Sequence, residues 1–256
     1  QHHVVSADEI NKTSQEYWNN EQFTDRENSF YKDCDFSDVD REYRKFRKEC
    51  SREVNYLAKE FEMKKAATAY SRESVARTGV LDTAKLHTYK FNQDLFKKVT
   101  VKPDGKNHGM IFLLDWSGSM ASEIHDTYKQ LLSLCLFCRK SGIPFDVYAF
   151  VQDGQWAKPN QDKETGKAGT FFMPDYFYLL NFLNSKLNNK KFDQYARDIW
   201  RVTFMYNYRY ASRYRNPWDP TSQTTLTVPD ALPNHLQLGG TPLNEAVVCL
   251  QTLIPD

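Results

Sequence analysis

Five consecutive apolar residues, Met-Ile-Phe-Leu-Leu at 110–114, lead into Asp115. A run so short and so apolar predicts a central strand buried on both faces of a parallel sheet. Downstream, Ile124, Tyr128, Leu131, Leu132, Leu134, Cys135, Phe137 and Cys138 crowd one stretch that ends at Ser141-Gly142. That pattern predicts a helix apolar around much of its circumference and buried against a sheet. Ile143-Pro144 then leads into Phe-Asp-Val-Tyr-Ala-Phe-Val at 145–151, a second strand. Strand, helix and strand in this order predict a right-handed βαβ unit with a parallel sheet, and hence the α/β class.

The flanks are more polar. Residues 1–37 show no sustained period and predict mostly irregular chain held by docked aromatics such as Tyr17, Trp18, Phe23, Phe30 and Tyr31, with short helices. From Ser37, with Asp40 three residues on, Val39, Tyr43, Phe46, Cys50, Val54, Leu57 and Phe61 mark a long amphipathic helix continuing toward Ala76. Gly79 is expected to end that helix, and Asp82 to cap another over 80–86. Val99, Val101 and the Pro103-Asp104-Gly105 turn predict a hairpin into the 110–114 strand. Past a polar loop at 152–168, the aromatic stretch 171–182 predicts a strand or edge segment, and 192–210 a helix carrying Tyr195, Ile199, Val202 and Tyr206. Arg209 to Trp218 interleaves Arg with Tyr, a mixture that stacks on nucleic-acid bases but more often ends a helix over aromatic surface.

The domain organisation expected is a helical N-terminal region and linker at 1–98 and an α/β domain at 99–256. Net charge is +1 over 256 residues, which argues against a nucleic-acid-binding domain driven by general electrostatics. Aromatic residues make up 14%, too many for a disordered chain. Five cysteines in a chain of this size form no secreted disulfide framework. No apolar run reaches the roughly 20 residues that span a bilayer, and nothing at the start resembles a signal peptide. A cytoplasmic protein with no membrane partner is expected, and Gln1 and Asp256 suggest a piece of a longer one. Cys135 and Cys138 form a Cys-x-x-Cys, but mid-helix among apolar residues they are expected to pack, not to bind zinc.

The candidate chemistry sits where the first strand stops. Asp115, Ser117 and Ser119 alternate along a loop in which Gly118 lets the chain turn back, so one carboxylate and two hydroxyls converge beyond the strand's carboxyl end. Such hard oxygen donors suit Mg²⁺, or Mn²⁺. One carboxylate leaves most of the ion's charge uncompensated, so the site suits docking of an outside acidic residue. A second stretch, Leu-Gly-Gly-Thr-Pro-Leu-Asn-Glu-Ala at 238–246, offers close backbone approach at its glycines, a hydroxyl at Thr241 and a helix start at Pro242.

The Asp-x-Ser-x-Ser loop resembles the first loop of the metal-ion-dependent adhesion site of von Willebrand factor A (VWA) domains. Gly-x-Thr-Pro-Leu is similar to the segment that supplies the Thr of their second loop, here Thr241. Thr-Gly-Val-Leu-Asp-Thr-Ala-Lys-Leu at 78–86 resembles the linker upstream of the VWA domain in the T subunit of aerobic cobaltochelatase. The aromatic 176–182 segment and the 238–246 run resemble versions carried by T4-like phages. The resemblance covers roughly residues 72–254 and is loose in the middle. It implies a Rossmann-like fold, with a mostly parallel central sheet flanked by helices and preceded by the helical N-terminal region. It also implies a metal held by Asp115, Ser117, Ser119 and Thr241, and a non-catalytic adaptor role. The implied partners are a MoxR-type AAA+ ATPase, docked through an acidic residue at the metal, and a large chelatase subunit that inserts Co²⁺ into a tetrapyrrole. The family's third-loop Asp, after a further strand, has no counterpart in this chain. Two other classes remain open: a metal-dependent hydrolase, for which His125 and Glu123 are the nearby groups and His125 is expected on the helix surface, and a structural component of a phage or other assembly.

Overall fold

The computed structural model describes residues 4–19, 35–71, 74–91, 93, 95–101, 109–152, 177–213 and 232–253. Its centre is a four-stranded sheet. The strands are β1 (Val4–Val5), β4 (Met110–Asp115), β5 (Phe145–Gln152) and β6 (Phe177–Asn184), in the order β1-β6-β5-β4. β4 lies parallel to β5, with Met110 opposite Phe145 and Asp115 opposite Phe150, and β1 lies parallel to β6, whereas β5 and β6 are antiparallel. The class is α/β with a mostly parallel sheet. The parallel pair is joined through helix α3 (Ile124–Lys140), as the apolar pattern of 110–151 predicts.

Side chains alternate across this sheet with the period of two that strands impose. Phe112, Leu114, Val147, Ala149, Val151, Tyr178, Leu180 and Phe182 face one layer. There they meet α3, α4 (Asn189–Arg213), and the N-terminal helices α1 (Ala7–Trp18) and α2 (Ser37–Ser71). Ile111, Leu113, Tyr148, Phe150, Phe177 and Leu179 face the other, where Ala246, Cys249 and Leu253 of α5 (Leu243–Leu253) cover them. Residues on both sides of position 98 thus share one core. Arg201 of α4 grips Asp40 of α2 with two bonds of 2.8 and 2.7 Å and lies 4.5 Å over the Phe36 ring, clamping the helical layer.

Several expectations are corrected. β4 is the edge of the four described strands, not a central one, and Met110 is exposed. Composition reports how apolar a strand is but not which neighbour it has. β6 is interior, between β1 and β5. The N-terminal stretch is more ordered than its lack of period implies: β1 joins the sheet, and α1 is capped by Ser6, whose hydroxyl accepts the Glu9 N–H at 3.2 Å. Ser6 and Glu9 have the capping-box spacing, a signal present in the sequence. Trp18 packs edge-on to Phe36 at 5.3 Å, while Phe23, Phe30 and Tyr31 lie outside the described residues.

The helix expected to run toward Ala76 stops at Ser71. Residues Ser74–Leu81 form strand β2, antiparallel to β3 (Phe96–Val101), in a separate two-stranded ribbon. Gly79, at φ 76°, sits in the irregular stretch of this pairing instead of ending a helix. Asp82 accepts the Ala84 N–H at 3.2 Å in a turn and caps no helix. β3 pairs with β2 and not with β4; the 103–105 turn lies outside the described residues. A strand partner some twenty positions away overrides the local helical period.

His125 is buried, not on the helix surface. Its Nδ1 lies 3.0 Å from the Thr203 hydroxyl, and its ring packs edge-on against Trp200 and Phe204. Burial holds its pKa down to about 3, and burial likewise holds His235 down to about 4. Both rings are therefore neutral in the fold and protonate on unfolding near the ordinary value of about 6.5. The unfolded chain binds more protons between these limits, so their contribution is present above pH 6.5 and lost as pH falls toward 3–4, at up to about 1.4 kcal/mol per pH unit per ring. Urea unfolding at pH 7 and pH 5 should show this loss, and His235→Gln should make the pH slope shallower.

Candidate metal centre

β4 delivers Asp115 to the carboxyl end of the sheet, where the Trp116 N–H still bonds the Phe150 carbonyl at 3.3 Å. The chain then turns through a short 3-10 segment, Gly118–Met120, which points Ser117 and Ser119 back together: their hydroxyl oxygens are 3.0 Å apart. Ser117 is buried and Ser119 exposed, so one donor lies beneath the other. Asp115 is half-buried, and its Oδ1 is shut off from solvent without a hydrogen-bond partner. A carboxylate oxygen in that state is costly unless something positive meets it.

The second loop is fastened directly to the first. The Gly118 N–H bonds the Gly239 carbonyl at 2.9 Å, and the Gly239 N–H bonds the Trp116 carbonyl at 3.1 Å. The Gly240 N–H reaches the Gln152 carbonyl at the end of β5, at 3.4 Å. Thr241, exposed, follows at once, and Pro242 precedes α5. The structure therefore brings the loops of Asp115, Ser117, Ser119 and Thr241 to one end of the sheet. The closeness is set by glycine: a Cβ on Gly239 would lie 2.3 Å from the Gln152 carbonyl oxygen.

Residues to which the sequence assigned no part in the site hold this arrangement in place. Trp116, fully buried, donates its indole N–H to the Leu236 carbonyl at 3.1 Å. The Tyr206 hydroxyl donates to the same carbonyl at 3.0 Å and accepts the Leu238 N–H at 3.0 Å. His235 meets the Ser14 hydroxyl of α1 at 3.0 Å. The segment entering the second loop is thus tied to β4, α4 and α1. Only the aromatic character of Trp116, between the metal-loop residues, hinted at it.

No protein-family model, curated protein or solved structure matches the chain. The donor set fits a hard divalent cation: one carboxylate with an unpartnered oxygen and three hydroxyls on two linked loops. Among the described residues, no three His, Cys, Asp or Glu side chains gather into a metal-binding group, so this set leans on hydroxyls. His125 is turned into the core against Thr203 and is not at hand as a base. Cys135 and Cys138 are buried free thiols, and burial pushes both above their ordinary range; Cys138 lies 3.6 Å from the Met110 sulfur, in packing contact. Of the 209–218 stretch, residues from 214 on lie outside the described residues. No described helix is long and apolar enough to cross a membrane.

Proposed function

We propose that this chain is a metal-dependent docking module in which Asp115, Ser117, Ser119 and Thr241 hold Mg²⁺ or Mn²⁺ and a partner's Asp or Glu completes the shell. The observation that carries this reading is the buried, unpartnered Oδ1 of Asp115 in a loop bonded to the second loop. The ion supplies a strong positive charge at the protein surface. Asp115 supplies only one negative charge against it, while Ser117 and Ser119 are already oriented together. An incoming carboxylate thereby gains an attraction that neutral hydroxyls leave largely intact.

The partner assigned is a MoxR-type AAA+ ATPase, with this chain as the non-catalytic adaptor of a cytoplasmic cobaltochelatase-like complex. The likeness of the 78–86 linker and both loops to the cobaltochelatase T subunit supports that assignment. The test is capture of the ATPase encoded in the same genome, with ATP, in Mg²⁺ and then in EDTA. Capture is expected in Mg²⁺, to be lost in EDTA, and to fall at least tenfold in Ser119→Ala. Capture indifferent to metal and to Ser119→Ala would overturn the docking mechanism. Absence of any capture would move the weight to a structural assembly component.

A further inference from the structure

At the end of the sheet away from Asp115, about 20 Å along β4, α2, the C-terminus of α3 and the start of α4 flank an open cleft of about 620 Å³. Arg47 enters it from α2, and Arg139 and Lys140 from α3; Ser51, Asn55 and Ser185 add polar groups. The described residues lining it include no Asp or Glu. Arg139 is fixed in place: it donates to the Leu187 carbonyl at 3.0 Å and to Asn189 Oδ1 at 2.7 Å, and stacks 4.4 Å over the Phe192 ring. Arg139 and Lys140 also suit the negative end of α3, which accounts for their presence there. It does not account for Arg47, brought up against them from another helix.

Arg47 has one loose contact with Asp193, 3.5 Å from its Nε, while its Nη1 is buried without an acceptor. Burial lowers the Arg139 pKa from its ordinary value, and the charge of Arg47 lowers it further, so the two guanidinium groups repel across the cleft. The first turn of α4 carries no acid, where a helix favours negative charge; its Lys190 and Lys191 do not line the cleft, and Lys191 is paired with Asp8 at 2.9 Å. Val54, Ile143 and Phe192 form an apolar wall beside Arg47 and Arg139.

We propose that this cleft is a second binding site, for a phosphate-bearing small molecule of about mononucleotide size. A phosphate placed between Arg47 and Arg139 meets both guanidinium groups, of which Arg47 is partly offset by Asp193, and accepts from the N–H groups that Asp193, Leu187 and Asn189 leave over, and the volume beyond it takes an apolar body. The site is independent of the metal loops.

The test is calorimetric titration of the full chain in EDTA at fixed ionic strength, with orthophosphate, AMP and adenosine as probes. Saturable AMP binding is expected, with none for adenosine. Arg47→Gln should weaken AMP at least tenfold and Lys140→Gln, at an exposed position, about threefold, while Ser119→Ala leaves it unchanged. Circular dichroism confirms that each variant is folded. Weaker orthophosphate binding than AMP is expected; orthophosphate binding as tightly as AMP would overturn the mononucleotide-sized ligand and leave a site for the free ion. Failure of the wild type to bind either phosphate, or equal binding in Arg47→Gln and Lys140→Gln, would overturn the proposal.

Discussion

Gly239→Ala is expected to cost about 3 kcal/mol of stability, at the upper end of what forced overpacking does, and to abolish metal-dependent capture. The new Cβ would fall 2.3 Å from the Gln152 carbonyl oxygen and 2.9 Å from Val151 Cγ2. The first of these is backbone at the end of β5, held by its pairing with Phe177, and yields less readily than a side chain. The second loop must therefore lift, breaking the Gly239 bonds to Trp116 and Gly118 that hold it against the first. For a chain of this size the fall in Tm should be about 6–12 °C. Gly118→Ala is the control, because its Cβ would meet only the Gly239 carbonyl oxygen at 3.9 Å. A Gly239→Ala protein with wild-type Tm and capture would show that the close approach between the loops is dispensable.

The parts of the fold that could be read from the sequence are those whose signal is local. The apolar run at 110–114 and the three-and-four spacing of Ile124, Tyr128, Leu131, Leu132 and Cys135 are set by residues within one element, and β4, α3 and β5 follow from them. What escaped depends on partners far along the chain. Ser74–Leu81 continues a helix-like sequence but pairs with Phe96–Val101, and long-range pairing decides its conformation. His125 has acidic residues on either side at 123 and 126, yet its environment is Trp200, Thr203 and Phe204. The same distinction divides the candidate site. Its oxygen donors were visible as residue types in a loop, whereas the braces at Trp116, Tyr206 and Leu236 connect positions 30 to 120 apart. The arginine cleft gave no signal at all, because Arg47 and Arg139 belong to separate helices and lie 92 positions apart.

Asp115→Asn should separate metal binding from folding, and it should do so by reversing an order of stability. In EDTA the wild-type carboxylate keeps an oxygen buried without a donor. An unsatisfied buried acceptor costs about 1–3 kcal/mol, and more if charged. Asparagine has the same shape and no charge, so in EDTA the variant should match the wild type or exceed it by about 1 kcal/mol in urea unfolding. In Mg²⁺ the order inverts. Wild type bound to an ion at a hundred times its Kd gains about 2.7 kcal/mol by mass action, whereas the variant, with no negative charge among its four donors, gains little. Capture of the proposed ATPase partner should disappear with that gain. A site kept at some cost to the fold is a common mark of a functional residue, and the two unfolding curves test for it directly. Should Asp115→Asn be the less stable protein in EDTA, with Mg²⁺ stabilising neither, the carboxylate would be a structural strand cap and the docking mechanism would lose its central residue.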